Sequence, residues 1–261
     1  MQQILYYLQT ADVYSPGIIT ILVLVGFGVG FINTIAGLAT AITYALFMAM
    51  GMPINIANGT TRLGVLSQFL VSSIIFKKKG YLNLNTGIKV GIPVAIGALA
   101  GAEFVAVLKP TMIETIMGIA LPIITILLFV QKPGSVPSGE KPLNIWKFLA
   151  FVMIGMYGGF THAGVGLLII FGSFFMLGMD MLYANGIKQF AVLIYTPIAL
   201  LVFILHGQVN WPVAIFYAIG NTIGGVVGSY VSIKGGAKFI KICVAAAVII
   251  MSTWLVIKNF R

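Results

Sequence analysis

The sequence predicts an all-α polytopic membrane protein made of two five-element repeats, each with four full helices and one short or broken element. Three observations carry this. Of the 261 residues, 60% are hydrophobic and 8% are charged, against about 25% charged in a soluble domain. So few charges cannot cover a water-facing surface, and most of the exterior must face lipid. The hydrophobic residues fall into runs near 17–36, 38–51, 56–76, 86–107 and 111–130, then 144–164, 166–178, 184–205, 210–232 and 236–257. Most have the length of about 20 residues that spans a bilayer as a helix. Finally, the chain aligns on itself at a constant offset of 127.

Taken in order, the N-terminus has no Lys or Arg before the first run, Asp12 being its only charge. The first helix is therefore expected to be an uncleaved anchor. Runs 38–51 and 166–178 are too short to span comfortably at 1.5 Å per residue, and are the short or broken elements. The stretch Gln131–Lys141, with Pro, Gly, Lys and Glu, is the one break in composition. It divides the chain into a first repeat at 1–130, a linker at 131–143 and a second repeat at 144–261. The single cysteine, Cys243, lies in the last apolar run, so an intrachain disulfide or thiolate metal site is excluded and helix packing is its expected role.

The duplication is read without a gap. Thr34 pairs with Thr161, Ile35 with His162, Gly37 with Gly164, Ala57-Asn58-Gly59 with Ala184-Asn185-Gly186, and Gly97 and Gly101 with Gly224 and Gly228. Duplicated halves in a membrane point to a transporter with its site at the repeat interface. Loop charges orient the halves. Lys77-Lys78-Lys79 align with Ile204-Leu205-His206, whereas Lys234, Lys238 and Lys241 align with Val107, Thr111 and Glu114. Opposite charge in equivalent loops predicts inverted repeats if every run crosses, with both chain ends outside the cytoplasm; re-entrant short runs would give parallel halves. The net charge of +10 does not argue for nucleic acid, because most of the cations sit between or at the ends of hydrophobic runs, where they set topology and meet anionic lipid.

Asn58-Gly59-Thr60-Thr61-Arg62 and Asn185-Gly186-Ile187-Lys188-Gln189 each open a hydrophobic run. Read as N-caps, the asparagines would place unsatisfied N–H groups, partial positive charge and a cation together as an anion cradle, one per repeat. The plainer reading makes them ordinary caps, with Arg62 and Lys188 snorkelling to headgroups. His162 stands in a small-residue break, as proton carrier, anion donor or packing residue. Asn33, Thr34 and Thr161 flank the same breaks and add donors. Glu103, among Gly, Ala and Val with Lys109 six residues on, is expected near a helix end, with proton coupling as a second role. Asp180 is expected to cap the short run. Glycines at 87, 91, 97 and 101, and at 220, 224, 225 and 228, suit close helix packing.

No H-E-x-x-H, G-x-S-x-G, phosphate loop or Cys/His metal cluster occurs, so no metal site is expected and transport would be secondary or passive. A membrane enzyme built on His162 and Glu103 is the distant alternative.

These elements together resemble the sulfite exporter TauE/SafE-type permeases over nearly the whole chain. The resemblance rests on Ala36-Gly37-Leu38, Gly51-Met52-Pro53, Ala57-Asn58-Gly59-Thr60 and Gly80-Tyr81-Leu82-Asn83. In the second half it rests on His162-Ala163-Gly164-Val165-Gly166, Ala184-Asn185-Gly186-Ile187-Lys188 and Gly207-Gln208-Val209-Asn210-Trp211. It implies movement of small, often sulfur-containing anions (sulfite, sulfonates, organic acids) without a tightly bound cofactor, by a multi-pass protein of the bacterial inner membrane. The expected site is Asn33, Thr34, Asn58, Gly59, Thr60, Arg62, Thr161, His162, Asn185, Lys188 and Gln189. The expected partners are the anion, the lipid bilayer and a second copy in a homo-oligomer. An anion channel, or an accessory subunit of a larger complex, is the alternative.

Overall fold

The computed structural model describes residues 2–119 and 141–259, and every described element is helical. The end of the run at 111–130 and residues 131–140 of the expected linker lie outside the described residues. The chain begins with α1 (Gln2–Thr10), a helix absent from the hydrophobic runs, followed by α2 (Pro16–Ile35), capped by Ser15 with Pro at its start. Then come α3 (Thr40–Ala49), α4 (Ile54–Lys78), α5 (Leu84–Val107) and α6, described over 110–119. The second half holds α7 (Ile145–Phe160), α8 (Val165–Phe171, continuing as a π turn over Gly172–Met176), α9 (Met181–Leu205) and α10 (Trp211–Asn259). α10 breaks into two limbs at Gly236, where φ is 69° and ψ −172°. Helices α2, α4, α5, α9 and Trp211–Val244 of α10 are long and apolar enough to cross a membrane.

The repeat is visible in the boundaries. Adding 127 to Ile54–Lys78 lands on Met181–Leu205. Left-handed glycines end equivalent elements at Gly37 and Gly164, Gly51 and Gly178, and Gly80 and Gly207, each a turn that only glycine adopts without strain. Equivalent asparagines start α5 and α10: Asn83 Oδ1 accepts from Asn85 and Thr86 N–H, Asn210 Oδ1 from Val213 N–H.

One stretch departs from the gapless alignment. In α2, Gly30 lies against the Asn221 carbonyl; in α7, Gly155 lies against the Val94 carbonyl. Asn221 and Val94 are 127 apart, but Gly30 and Gly155 are 125 apart. The offset of 127 returns at Gly37 and Gly164. Thr161 and His162 are therefore a two-residue insertion that the first repeat lacks, and His162 has no counterpart at Ile35. Matching threonines hid this gap in the sequence.

Packing follows the glycines. In α5, Gly97 and Gly101 sit on the Val152 and Met156 carbonyls of α7; in α10, Gly220 and Gly224 sit on the Val23 and Phe27 carbonyls of α2. Residue numbers rise together in each pair, so the helices run parallel, each joining one repeat to the other. The equivalent central helices α4 and α9 run in opposite directions. Gly59 near the start of α4 packs on Phe203 and the Gln208 carbonyl, beyond the end of α9; Gly186 packs on Phe76 and the Tyr81 carbonyl. The two helix breaks meet in the middle, Gly37 against Gly166.

Apolar ridges face outward at helical spacing, Ile88, Ile92 and Ile96 on α5 and Ile215, Ile219 and Ile223 on α10, as a lipid-facing surface requires. Charge divides the two ends. Lys77, Lys78, Lys79, Lys141, Lys147 and Lys234 gather at one end, where Lys141 N–H donates to the Leu177 carbonyl and Lys79 lies over the Tyr230 ring.

Candidate functional site

The breaks between α2 and α3 and between α7 and α8 bring most of the expected residues together at the centre. Asn33, Thr34, Asn58, Thr60, Arg62, Thr161, His162, Asn185, Lys188 and Gln189 are all 0–2% exposed. Their arrangement differs from the expected cradle, first in where the helices start. The asparagines are not caps: α4 starts at Ile54 after Pro53, and α9 starts at Met181 after Asp180, whose carboxylate accepts from Leu182 N–H. Asn58 and Asn185 thus lie in the second turn, and Asp180 caps α9 rather than the short run. Hydrophobicity located the helices, but the Pro53 and Asp180 starts precede the apolar stretches by several residues.

The two cations reach across the molecule to the C-terminal ends of the broken helices. Arg62 Nη1 donates to the Gly158 carbonyl at 2.9 Å, and Nη2 to the Gly159 carbonyl at 2.9 Å and Asn58 Oδ1 at 3.0 Å. Lys188 Nζ donates to the Asn33 and Thr34 carbonyls, each at 2.8 Å. At the offset of 125, Asn33 and Thr34 are the equivalents of Gly158 and Gly159, so each repeat clamps the other's helix end in the same way. The last carbonyls of a helix lack intrahelical donors and carry partial negative charge, so a cation satisfies both. Neither cation snorkels. Gln189 occupies Arg62's equivalent position and repeats two of its bonds, Nε2 donating to the Thr34 carbonyl and to Asn185 Oδ1.

Polar side chains complete the lattice. Asn33 bridges its break, Nδ2 donating to Thr40 Oγ1 and Oδ1 accepting from Ala39 N–H. Asn58 Nδ2 donates to the Phe160 carbonyl at 2.7 Å. Thr60 Oγ1 accepts from Asn210 N–H, and Gly59 is a packing position. Tyr44, not among the expected site residues, is a hub: its hydroxyl donates to Asn58 Oδ1 and accepts from His162 N–H and Thr161 Oγ1. His162 Nδ1 shares a 2.6 Å hydrogen bond with Tyr195 hydroxyl, and its ring meets Phe69 edge to face. Tyr44 and Tyr195 are buried in the structure, and each buried hydroxyl finds a partner in this lattice.

Glu103 stands apart. It is 51% exposed on its side chain and 3.9 Å from His206. His206 lies eleven residues beyond His162's partner Tyr195, about 16 Å along α9, so no Glu103–His162 pair forms. His206 and Glu103 are the one pair of basic and acidic side chains within 4.0 Å of each other among the described residues, and no group of three metal-ligating side chains occurs among them.

The centre therefore holds two buried cations with carbonyl partners and no carboxylate within ion-pair distance among the described residues. Here too begin the short helices α3 and α8, neither with a side-chain cap. Helix starts carry partial positive charge and free N–H groups. The arrangement can attract a small anion.

A model of the family described as "Sulfite exporter TauE/SafE" matches residues 22–255. The chain is 28% identical to a protein of a Sinorhizobium species named "Probable membrane transporter protein ORF9", over 86% of this chain and 87% of that one. It is 26% identical to a "Probable membrane transporter protein" of Haemophilus influenzae, over 92% and 94%. It is 24% identical to "Probable membrane transporter protein YfcA" of Escherichia coli, over 92% and 90%. No solved structure matches.

Proposed function

The chain belongs to the sulfite exporter TauE/SafE family, and from that premise we propose that it carries small anions such as sulfite, sulfonates or related organic acids by alternating access. Its fold and its relatives make it a multi-pass membrane transporter; the bacterial inner membrane is the proposed location. The observation that carries the substrate class is the paired, fully buried Arg62 and Lys188, one from each repeat and neither facing a carboxylate among the described residues. Buried charge is costly unless compensated. Carbonyl dipoles offset part of it, and an anion between the repeats would offset the rest.

The opposed directions of α4 and α9 support reading the repeats as inverted, with the site near mid-membrane. Broken helices are the means by which such sites admit irregular backbone at membrane depth. On this reading Arg62 and Lys188 supply charge, the starts of α3 and α8 supply N–H donors, and His162 with Thr161 supplies side-chain donors. In alternating access the hairpins α2–α3 and α7–α8 would exchange which end of the site is open.

Sulfite flux in proteoliposomes tests the assignment. Arg62→Gln and Lys188→Gln remove charge while keeping a donor, and each is expected to lower flux at least tenfold with the protein still monodisperse. Wild-type flux in both variants would overturn the charge assignment.

A further inference from the structure

The two helix interfaces that pseudo-symmetry makes equivalent are chemically opposite. On one side α10 packs against α2 and α4; on the other α5 packs against α7 and α9. Along α10, Asn221, Ser229 and Ser232 are fully buried toward the core, whereas the equivalent positions of α5 are Val94, Ala102 and Val105. Along α4, buried Ser72 faces α10, where its hydroxyl meets the Gly225 carbonyl; the equivalent position of α9 is Ala199. Tyr217 and Thr43, hydrogen-bonded at 2.8 Å, extend the contrast, standing where the other side has Val90 and Ile170. Positions 217, 221, 225, 229 and 232 recur at helical spacing on one face and cover about 22 Å of rise.

We infer that this seam between α4 and α10 is a water-accessible translocation path leading from the central cations to the lysine-rich end. It is joined to the centre directly. Lys188 holds the Thr34 carbonyl, and Thr34 Oγ1 accepts from Gln68 Nε2 at 3.0 Å and lies 3.5 Å from Ser72 Oγ. Ser72 and Ser229 both donate to the Gly225 carbonyl. At its far end the seam reaches buried Ser232, in the last turn before Lys234 at the lysine-rich end.

Interhelical hydrogen bonding alone does not account for the seam. Gln68 Oε1, Ser232 Oγ and both side-chain polar atoms of Asn221 are buried without a partner, which packing glue would not leave. Nor is polarity needed to hold these helices together, since the opposite interface packs through equivalent glycines with alanine and valine. Buried acceptors and donors on a continuous face are what water or an oxyanion would satisfy during a transport cycle. The choice of an anion as the solute rests on the function proposed above; the hydration of the seam does not.

The test uses the full-length protein in membrane vesicles with Cys243→Ser as background. Ser72→Cys, Ser229→Cys and Ser232→Cys probe the seam; Ala199→Cys, Ala102→Cys and Val105→Cys are their equivalents opposite. A membrane-impermeant thiosulfonate is expected to modify the seam thiols at least tenfold faster than their equivalents. Equal rates, in vesicles of either orientation, would overturn the proposal. Methanesulfonate in the same samples separates the two readings. Slower modification supports the anion as the solute, whereas unchanged fast modification leaves the path standing and removes the sulfonate class.

Discussion

Arg62 is both a charge and a fastener. Its guanidinium joins two carbonyls of α7 to Asn58, a planar multi-donor task that an ammonium cannot copy. Arg62→Ala would leave these buried acceptors unpaired, and a loss of about 3 kcal/mol is expected, read as a lowered melting temperature in detergent. Tyr44→Phe removes the hydroxyl shared by Asn58, Thr161 and His162; about 1–2 kcal/mol should be lost, with the same readout. The cations and asparagines were legible in the sequence because polar groups in apolar runs are conspicuous. Tyr44 and Tyr195 were not, because an aromatic residue in an apolar run reads as packing until its hydroxyl partner is known. His162 was legible as an oddity, but its place in an insertion was not.

At the scale of the element, glycine decides how closely helices approach, and it does so unequally. A side chain at Gly101 would meet the Met156 carbonyl and Phe160 nitrogen, whereas one at Gly28 would meet nothing within 4 Å. Gly101→Leu should therefore cost about 1–3 kcal/mol through overpacking, while Gly28→Ala should be neutral or slightly stabilising because alanine favours helix. Thermal unfolding of the two variants side by side checks both. Helix positions and the glycine faces followed from run length and spacing. Helix starts followed less well: Asn58 and Asn185 suit caps chemically, but Pro53 and Asp180 begin the helices upstream, and a buried second-turn asparagine bonds across the molecule instead. The apolar spacing gave no sign of α1, whose residues are largely exposed.

Over the whole molecule, the ends differ in charge. Lys77–Lys79, Lys141, Lys147 and Lys234 share one end, whereas Lys109 is the cation of the other among residues outside the centre whose side chains are described. The lysine-rich end should face the cytoplasm. In the Cys243→Ser background, an impermeant maleimide added to intact cells should modify Asp12→Cys and not Lys78→Cys, both positions being exposed. The reverse pattern would invert the assigned orientation.

By itself the sequence determined the membrane class, the duplication and the identity of the polar residues, because hydrophobic run length and self-similarity are properties of the chain alone. Which repeat each cation serves was decided only by the tertiary structure. Arg62 and Lys188 each cross to the other repeat, since the orphan carbonyls they satisfy lie where the broken helices end, and those ends meet only when the halves interlock. The same folding set a polar seam opposite an apolar one, a difference that lies in the pairing of α4 with α10 and of α9 with α5 rather than in any single stretch of sequence.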